Sequence, residues 1–284
     1  MWFMCFRPDY LRSRPGDRWH SGFSLVEIAV VLLILTVLLA GIAVPISAQV
    51  EARRLEETRK QLDDARVAIL AFVGANGRFP CPASATSNGL ESFCTTASGG
   101  CIATTTVQTH GRCSNFYNGF LPAVALGLTP VDATGRLRDA WGAPQNVIRY
   151  AVRDLDLTAE IAGLDHVFTI TDGIKQATMS KVLRNTSGSS ERNLISVCLD
   201  ATVATSDCNV ASNALANVPA VIFSIGPNAV TTGGTSSQEA ENLDGNAVFV
   251  SRDRSVGTNE FDDVVTWISI YKTFDRLVEV GRLP

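Results

Sequence analysis

The chain is poor in the residues on which most hydrolases and metal enzymes depend. It holds three histidines, His20, His110 and His166, and none of them stands in a recognisable nucleophile, zinc or phosphate motif. No C-x-x-C pair occurs, and His110 is the one histidine near the first cysteines, so a zinc site is disfavoured. Basic residues do not outnumber acidic ones: 24 stand against 28, a net charge of −4, which is the wrong sign for a nucleic-acid binder. Long apolar runs are missing as well, with one exception inside the uncharged segment from Ile28 to Val50, so the rest of the chain is available for one or two domains with real cores. The expectation is a protein that is not an enzyme and has no nucleic-acid partner.

The exception carries the most information. Its 23 residues, read as helix at about 1.5 Å each, would rise roughly 35 Å, enough to cross the hydrocarbon core of a bilayer. Before it lie Arg7, Arg12, Arg14 and Arg18 against Asp9 and Asp17, a basic flank that the positive-inside rule keeps in the cytoplasm. The expectation is a single-pass inner-membrane protein with its C-terminal domain in the periplasm. A secretory signal peptide fits less well, because its apolar core is only about 7 to 15 residues and Ile46-Ser47-Ala48 is a mediocre cleavage site. A plain signal anchor accounts for the run but not for Glu27, a carboxylate at the mouth of an apolar helix.

The junction Ser21-Gly22-Phe23-Ser24-Leu25-Val26-Glu27, followed by that long apolar helix, resembles the processing site of type IV pilins and type II secretion pseudopilins. The resemblance implies a cut after Gly22 by a prepilin peptidase, methylation of Phe23 as the new first residue, and an assembly role for Glu27. A new amino terminus at Phe23, with a reference pKa near ~8, would offer a charge partner to Glu27 of a neighbouring subunit. A carboxylate in low dielectric is disfavoured alone and tolerable when paired and hydrogen-bonded. Glu27 also stands in the first helical turn, where negative charge meets the positive end of the helix dipole. Other pilin-like subunits, the peptidase and the membrane are the implied partners. Pro45 falls about where the family places a helix-loosening proline, although proline in a membrane helix is common without any function.

Past the apolar run, Leu55, Thr58, Leu62, Ala65, Ile69 and Phe72 recur at spacings of three and four, the stripe of an amphipathic helix that packs on the chain's own domain. Glu56 with Lys60, Arg59 with Asp63 and Lys60 with Asp64 are spaced for ion pairs on the outer faces. Gly74 and Asn76-Gly77 are stop signals. The predicted helix therefore runs from about Ser24 to Val73.

Removing the leader would leave 20 basic and 26 acidic residues, and six of the seven cysteines. An even number outside the cytoplasm suggests disulfides. The six are Cys81, Cys94, Cys101, Cys113, Cys198 and Cys208. Their connectivity is open among 15 pairings, except that Cys198 and Cys208 flank one short loop and are expected to bridge. The first four lie in a Ser, Thr and Gly-rich stretch with little apolar material, where cross-links would replace a missing core.

Beyond Phe116, six short apolar runs bounded by turn residues read as strands: 147–152, 166–170, 194–198, 220–225, 247–251 and 264–271. Their spacing leaves little room for crossover helices, so an antiparallel sheet packed on the long helix is expected. Residues 273–280 read as a short helix before Gly281. The fold class is thus α+β and pilin-like: a cleaved basic leader (1–22), a long N-terminal helix with a transmembrane half (23–74), a Cys-rich loop region (75–115) and a globular antiparallel-sheet domain (116–284).

Two further patches extend the resemblance. Asp139-Ala140-Trp141-Gly142-Ala143-Pro144, followed by Arg149-Tyr150, resembles a segment of major pseudopilins. Ser224-Ile225-Gly226-Pro227-Asn228 and Asp262-Asp263-Val264-Val265-Thr266-Trp267 are similar to the family's calcium-binding loop and closing strand, which places Asn228 and Asp263 where the family has aspartate ligands. Asn228 would weaken attraction for a hard cation, and an insertion carrying Asp244 and Asp253 separates the two halves. Ordinary loop carboxylates are the alternative. Trp141 and Trp267 read as core residues, and Asn185-Thr186-Ser187 fits an N-glycosylation pattern. The function implied is a structural pilin or pseudopilin subunit; the alternatives are a minor or adhesive tip subunit and a signal-anchored extracytoplasmic enzyme.

Overall fold

The computed structural model describes residues 22–183, 194–201, 208, 213–230, 236–257 and 259–283, without the side chains at 39–46, 230 and 237. The leader before Gly22, Asn185-Thr186-Ser187 and the side chain of Pro45 lie outside this set. The chain divides into two compact units, 1–51 and 52–284.

Helix α1 (Leu25–Asn76) opens where Ser24 accepts a hydrogen bond from the Val26 amide through its hydroxyl, 3.2 Å away. Among the described residues no helix is long and apolar enough to cross a membrane. The transmembrane half, the single-pass inner-membrane anchor and the periplasmic placement derived from it are accordingly not supported.

Within the second unit the expected stripe is real. Thr58, Leu62, Ala65 and Ile69 are buried, Leu55 and Phe72 are half-buried, and Val73 extends the stripe. The ion pair that closes on this stretch joins Asp63 to Arg66, three apart at 3.0 Å. The helix runs through Gly74 and stops at Asn76, because Gly77 takes φ 69° and turns the chain out. Arg282 from the far end of the chain caps it, donating from Nε to the Gly74 carbonyl at 2.8 Å and from Nη2 to that of Ala75.

A four-stranded antiparallel sheet covers the stripe, in the order β3 (Gly119–Phe120), β4 (Arg149–Val152), β7 (Ala220–Ser224), β9 (Val264–Ile268). β7 is central and buried on both faces. Ala220 and Ile222 join Leu62, Ile69, Tyr150 and Val152 on the helix side. Val221 and Phe223 face Ile195, Val197 and Phe249 of a second sheet. This two-sided burial explains why Ala220–Ile225 reads as an unbroken apolar run instead of an alternation.

The second sheet has the order β6 (Ala214–Val218), β5 (Ile195–Cys198), β8 (Val248–Val250). Its β5–β8 pair is parallel, which corrects the expectation of antiparallel pairing throughout. The crossover that parallel pairing requires is supplied by β6, β7 and the segment carrying α3 (Ser237–Glu241). Pro219 separates β6 from β7 and hands the chain from one sheet to the other, since proline offers no amide to a ladder.

One expected strand assignment fails and another is shortened, each for a local reason. Residues 166–170 form a turn: His166 takes φ 51°, and its carbonyl accepts the amides of Thr169 and Ile170 at 2.8 and 2.9 Å. Val167 and Phe168 are nevertheless fully buried, so their apolar character reflects the core and not a ladder. The last run ends at Ile268 because Ser269 caps α4 (Ile270–Glu279), its hydroxyl accepting from the Tyr271 amide at 3.2 Å. Trp141 and Trp267 are half-buried and not fully in the core. Helix α2 (Gly173–Val182) had no counterpart in the sequence reading.

The cysteines pair as Cys81–Cys113, Cys94–Cys101 and Cys198–Cys208, with Cα separations of 5.4, 4.9 and 5.3 Å. The last bridge is the one expected, and the first two tie down the stretch around β1 (Phe93–Cys94) and β2 (Ala103–Thr104).

Candidate functional site

The two patches quoted separately in the sequence meet in one network. The buried Asp139 carboxylate accepts from the Trp141 amide at 3.0 Å, from Asn146 Nδ2 at 3.0 Å and from the Ser224 hydroxyl at 2.5 Å. Asn146 Nδ2 also donates to the Gly226 carbonyl at 2.6 Å, and the Ala140 amide donates to Thr58 of α1 at 3.2 Å. Burial pushes the Asp139 carboxyl above its ordinary range despite these donors. Asp139 thus links α1, the 139–146 turn and the loop that follows β7.

That loop leads into an acidic cluster. Gly226 sits at φ 67°, and a Cβ there would collide with the carboxylate and carbonyl of Asp262. Immediately afterwards the Asn228 amide donates to Asp262 Oδ2 at 3.2 Å, while Asn228 Nδ2 donates to both oxygens of Glu239 at 3.0 and 3.1 Å. The Asp262 amide donates to Glu239 Oε1 at 3.0 Å. Asn242, just past α3, donates to Asp263 Oδ2 at 2.7 Å, and its own carbonyl oxygen accepts from the Val250 amide.

Glu239, Asp262 and Asp263 therefore converge, with one oxygen of each within 4.8 Å of the others. All three are buried, at 1%, 5% and 7% exposure, where three like charges could not coexist unneutralised. Burial, reinforced by Glu239 beside it, pushes the Asp262 carboxyl up to about 7. Burial likewise holds Asp263 well above the usual carboxylate range, with Glu239 and Asp262 adding to the shift. Asp262 Oδ1 and Asp263 Oδ1 are buried with no hydrogen-bond partner among the described residues. Carboxylate oxygens left over in this way suit a hard, oxygen-preferring cation such as calcium or magnesium.

The two candidate ligands read from the sequence, Asn228 and Asp263, are thus brought together. Asn228 spends its amide nitrogen on holding Glu239. Glu239 itself was missed, as was the part played by Asp262. The insertion between the two halves supplies Glu239 and Asn242, whereas its Asp244 is engaged by Asn246 and Asp253 stays exposed. A sequence signal for Glu239 exists: Ser236-Ser237-Gln238-Glu239 is a capping-box pattern, and the Ser236 hydroxyl accepts from the Glu239 amide at 3.2 Å.

A second group lies elsewhere. His166 Nδ1 is 2.7 Å from Asp154 Oδ1, and its Nε2 is 3.4 Å from Asp165 Oδ2. With a carboxylate on each ring nitrogen and Phe116 stacked at 5.5 Å, the arrangement stabilises an imidazolium more than it presents a free nitrogen to a metal. Of the N-terminal residues, Gly22 is exposed and has nothing near it, Phe23 is 79% exposed, and Glu27 stands exposed in the first turn of α1. The cysteines expected as a cross-link set are all paired, which leaves none for zinc. Comparison with protein-family models, with curated proteins and with solved structures finds no match.

Proposed function

We propose that the chain is a structural subunit of pilin or pseudopilin type, processed after Gly22 and assembled into a filament through the start of α1. The observation that carries the reading is the exposed apolar surface following Gly22. Phe23, Leu25, Val26 and Leu33 are 79%, 86%, 67% and 65% exposed, and Val37 and Leu38 continue the surface. Such a surface needs cover, and the equivalent helices of other subunits would supply it. Glu27 then enters a low-dielectric bundle, where the amino terminus freed at Phe23 of a neighbour neutralises it. Both steps depend on the same cut, made by a prepilin peptidase.

N-terminal sequencing with intact mass tests the first step. A chain beginning at methylated Phe23 is expected; an intact Met1, or a start near Gln49, refutes it. Glu27→Ala tests the second. Processing should continue while incorporation into filaments falls at least about tenfold, as expected when a buried charge pair is removed. Normal incorporation would show that the pair does not drive docking.

A divalent cation at Glu239, Asp262 and Asp263, for which calcium is the best candidate, belongs to the same reading. The buried Asp262 Oδ1 and Asp263 Oδ1, without hydrogen-bond partners, favour it. Bound there, the cation would lock the loop after β7, the end of α3 and the start of β9 to one another, so its role is structural.

A further inference from the structure

A cavity of about 390 Å³ opens over Asp262 and Asp263, within the range of small-ligand pockets. Two kinds of lining meet in it. Leu55, Leu199, Leu215 and Val264 line it with apolar groups, and Arg59, Arg252 and Arg254 bring three positive charges to it. Arg59 has no hydrogen-bond or ion-pair partner among the described residues, and Arg252 keeps a buried Nε without one while its Nη2 donates to the Asn259 carbonyl at 2.6 Å.

The balance of charge indicates what fits. With Asp253, Asp262, Asp263 and Glu239 all ionised, as cation binding requires, these carboxylates and the three arginines sum to −1. A divalent cation on the acidic cluster turns that into +1. One monoanion would restore neutrality, and the cavity side of the cluster is where a cation would keep an exchangeable coordination position. We propose that this pocket binds a single carboxylate borne next to a short apolar group, as in a free small acid or the C-terminus of a polypeptide ending in an apolar residue, with the cation bridging ligand and protein. The proposal rests on the cation reading above. Arg59 and Arg252 donate to the carboxylate oxygens, and Leu199 and Leu215 cover the apolar group.

Calorimetric titration of the full chain separates the two layers. Calcium chloride alone is titrated first, against the chain and against Glu239→Gln. N-acetylleucine is then titrated into calcium-saturated and EDTA-treated protein, with N-acetylleucinamide as the uncharged control. Binding at least tenfold tighter with calcium, no binding of the amide, and at least fivefold weakening in Arg59→Ala with calcium binding unchanged support the proposal. Arg59 is exposed on α1, so its removal tests the pocket and not the fold. Calcium binding without N-acetylleucine binding overturns the carboxylate pocket and leaves the cation site standing; N-acetylleucine binding indifferent to EDTA overturns the bridge. Absence of calcium binding overturns both. A pentapeptide with a free C-terminal leucine distinguishes the sources: tighter binding than N-acetylleucine supports a polypeptide terminus, weaker binding a small acid.

Discussion

Arg78 and Glu91 form a buried ion pair that fastens the disulfide-bearing segment to the end of α1, and removing one partner is expected to be costly. Their side chains are 6% and 8% exposed. Arg78 donates from both terminal nitrogens to the two carboxylate oxygens, at 2.6 and 2.9 Å. Glu91 Oε1 also accepts the Cys81 amide at 2.8 Å, next to the Cys81–Cys113 bridge, and the guanidinium lies over Phe72 and Phe93 at 5.1 and 5.5 Å. Glu91→Ala strands a buried guanidinium and an amide together, and breaking a buried pair in this way costs about 3 to 5 kcal/mol. For a unit the size of 52–284, each kcal/mol moves Tm by about 2 to 4 °C, so a fall of roughly 6 to 20 °C is expected. Thermal unfolding followed by far-UV circular dichroism, with the disulfides intact, measures it. The pair Arg78→Met with Glu91→Leu should recover most of the loss, because the cost of the single variant lies in the orphaned charge. A single-variant cost below about 1 kcal/mol would refute this account.

Cation affinity and one histidine supply pH-dependent tests. Asp262, pushed up to about 7 by burial and by Glu239, and Asp263, held well above the usual carboxylate range by its burial, must both lose their protons before a cation binds. Calcium affinity should therefore fall about tenfold or more between pH 8 and pH 6, and a flat profile in calorimetry contradicts the site. In the cation-free protein the raised Asp262 carboxyl acts against folding, because its contribution to stability falls as pH rises from its unfolded value, near ~4, through about 7; calcium should restore the loss, read as a rise in Tm. For His166, burial lowers the imidazole pKa, but Asp154 and Asp165 outweigh it and Arg112 opposes them only weakly, so the net shift is upward. Its contribution is fully present below about 6.5 and disappears as pH rises through the folded value. NMR titration should place the His166 imidazole above its ordinary value and return it towards that value in Asp154→Asn. An unshifted His166 would show that the two carboxylates do not hold it.

What could be read from the sequence followed periodicity and local chain length. The helix stripe from Leu55 to Phe72 was legible because it is local, set by side chains three and four apart on one helix. The Cys198–Cys208 bridge was legible because the two residues flank one short loop. Strand 220–225 was visible as an apolar run, but the run could not show that the strand is sandwiched between two cores, nor that its predecessor β6 belongs to a different sheet. At 166–170 the same apolar signal misled, since Val167 and Phe168 are buried from a turn, and burial without a ladder leaves the same trace in composition.

The acidic cluster shows the harder limit. Asn228 and Asp263 could be paired across 35 positions because each carried a recognisable neighbourhood, yet the third oxygen donor lies in between, on α3, and reaches them only because the parallel β5–β8 pairing folds that insertion back onto the sheet. A register of this kind is set by side chains packing far apart in the chain: Phe249 against Phe223 at 5.5 Å, and Asn242 clamping the Val250 backbone. Asn242→Ala separates that clamp from the charges themselves. It leaves all three carboxylates in the chain but removes both the hold on Val250 and the donor to Asp263. If the insertion's position makes the site, calcium affinity should fall in Asn242→Ala about as far as in Glu239→Gln, with circular dichroism unchanged. If the carboxylates assemble on their own, Asn242→Ala will bind calcium as the parent chain does, and the insertion will have been only a donor of Glu239.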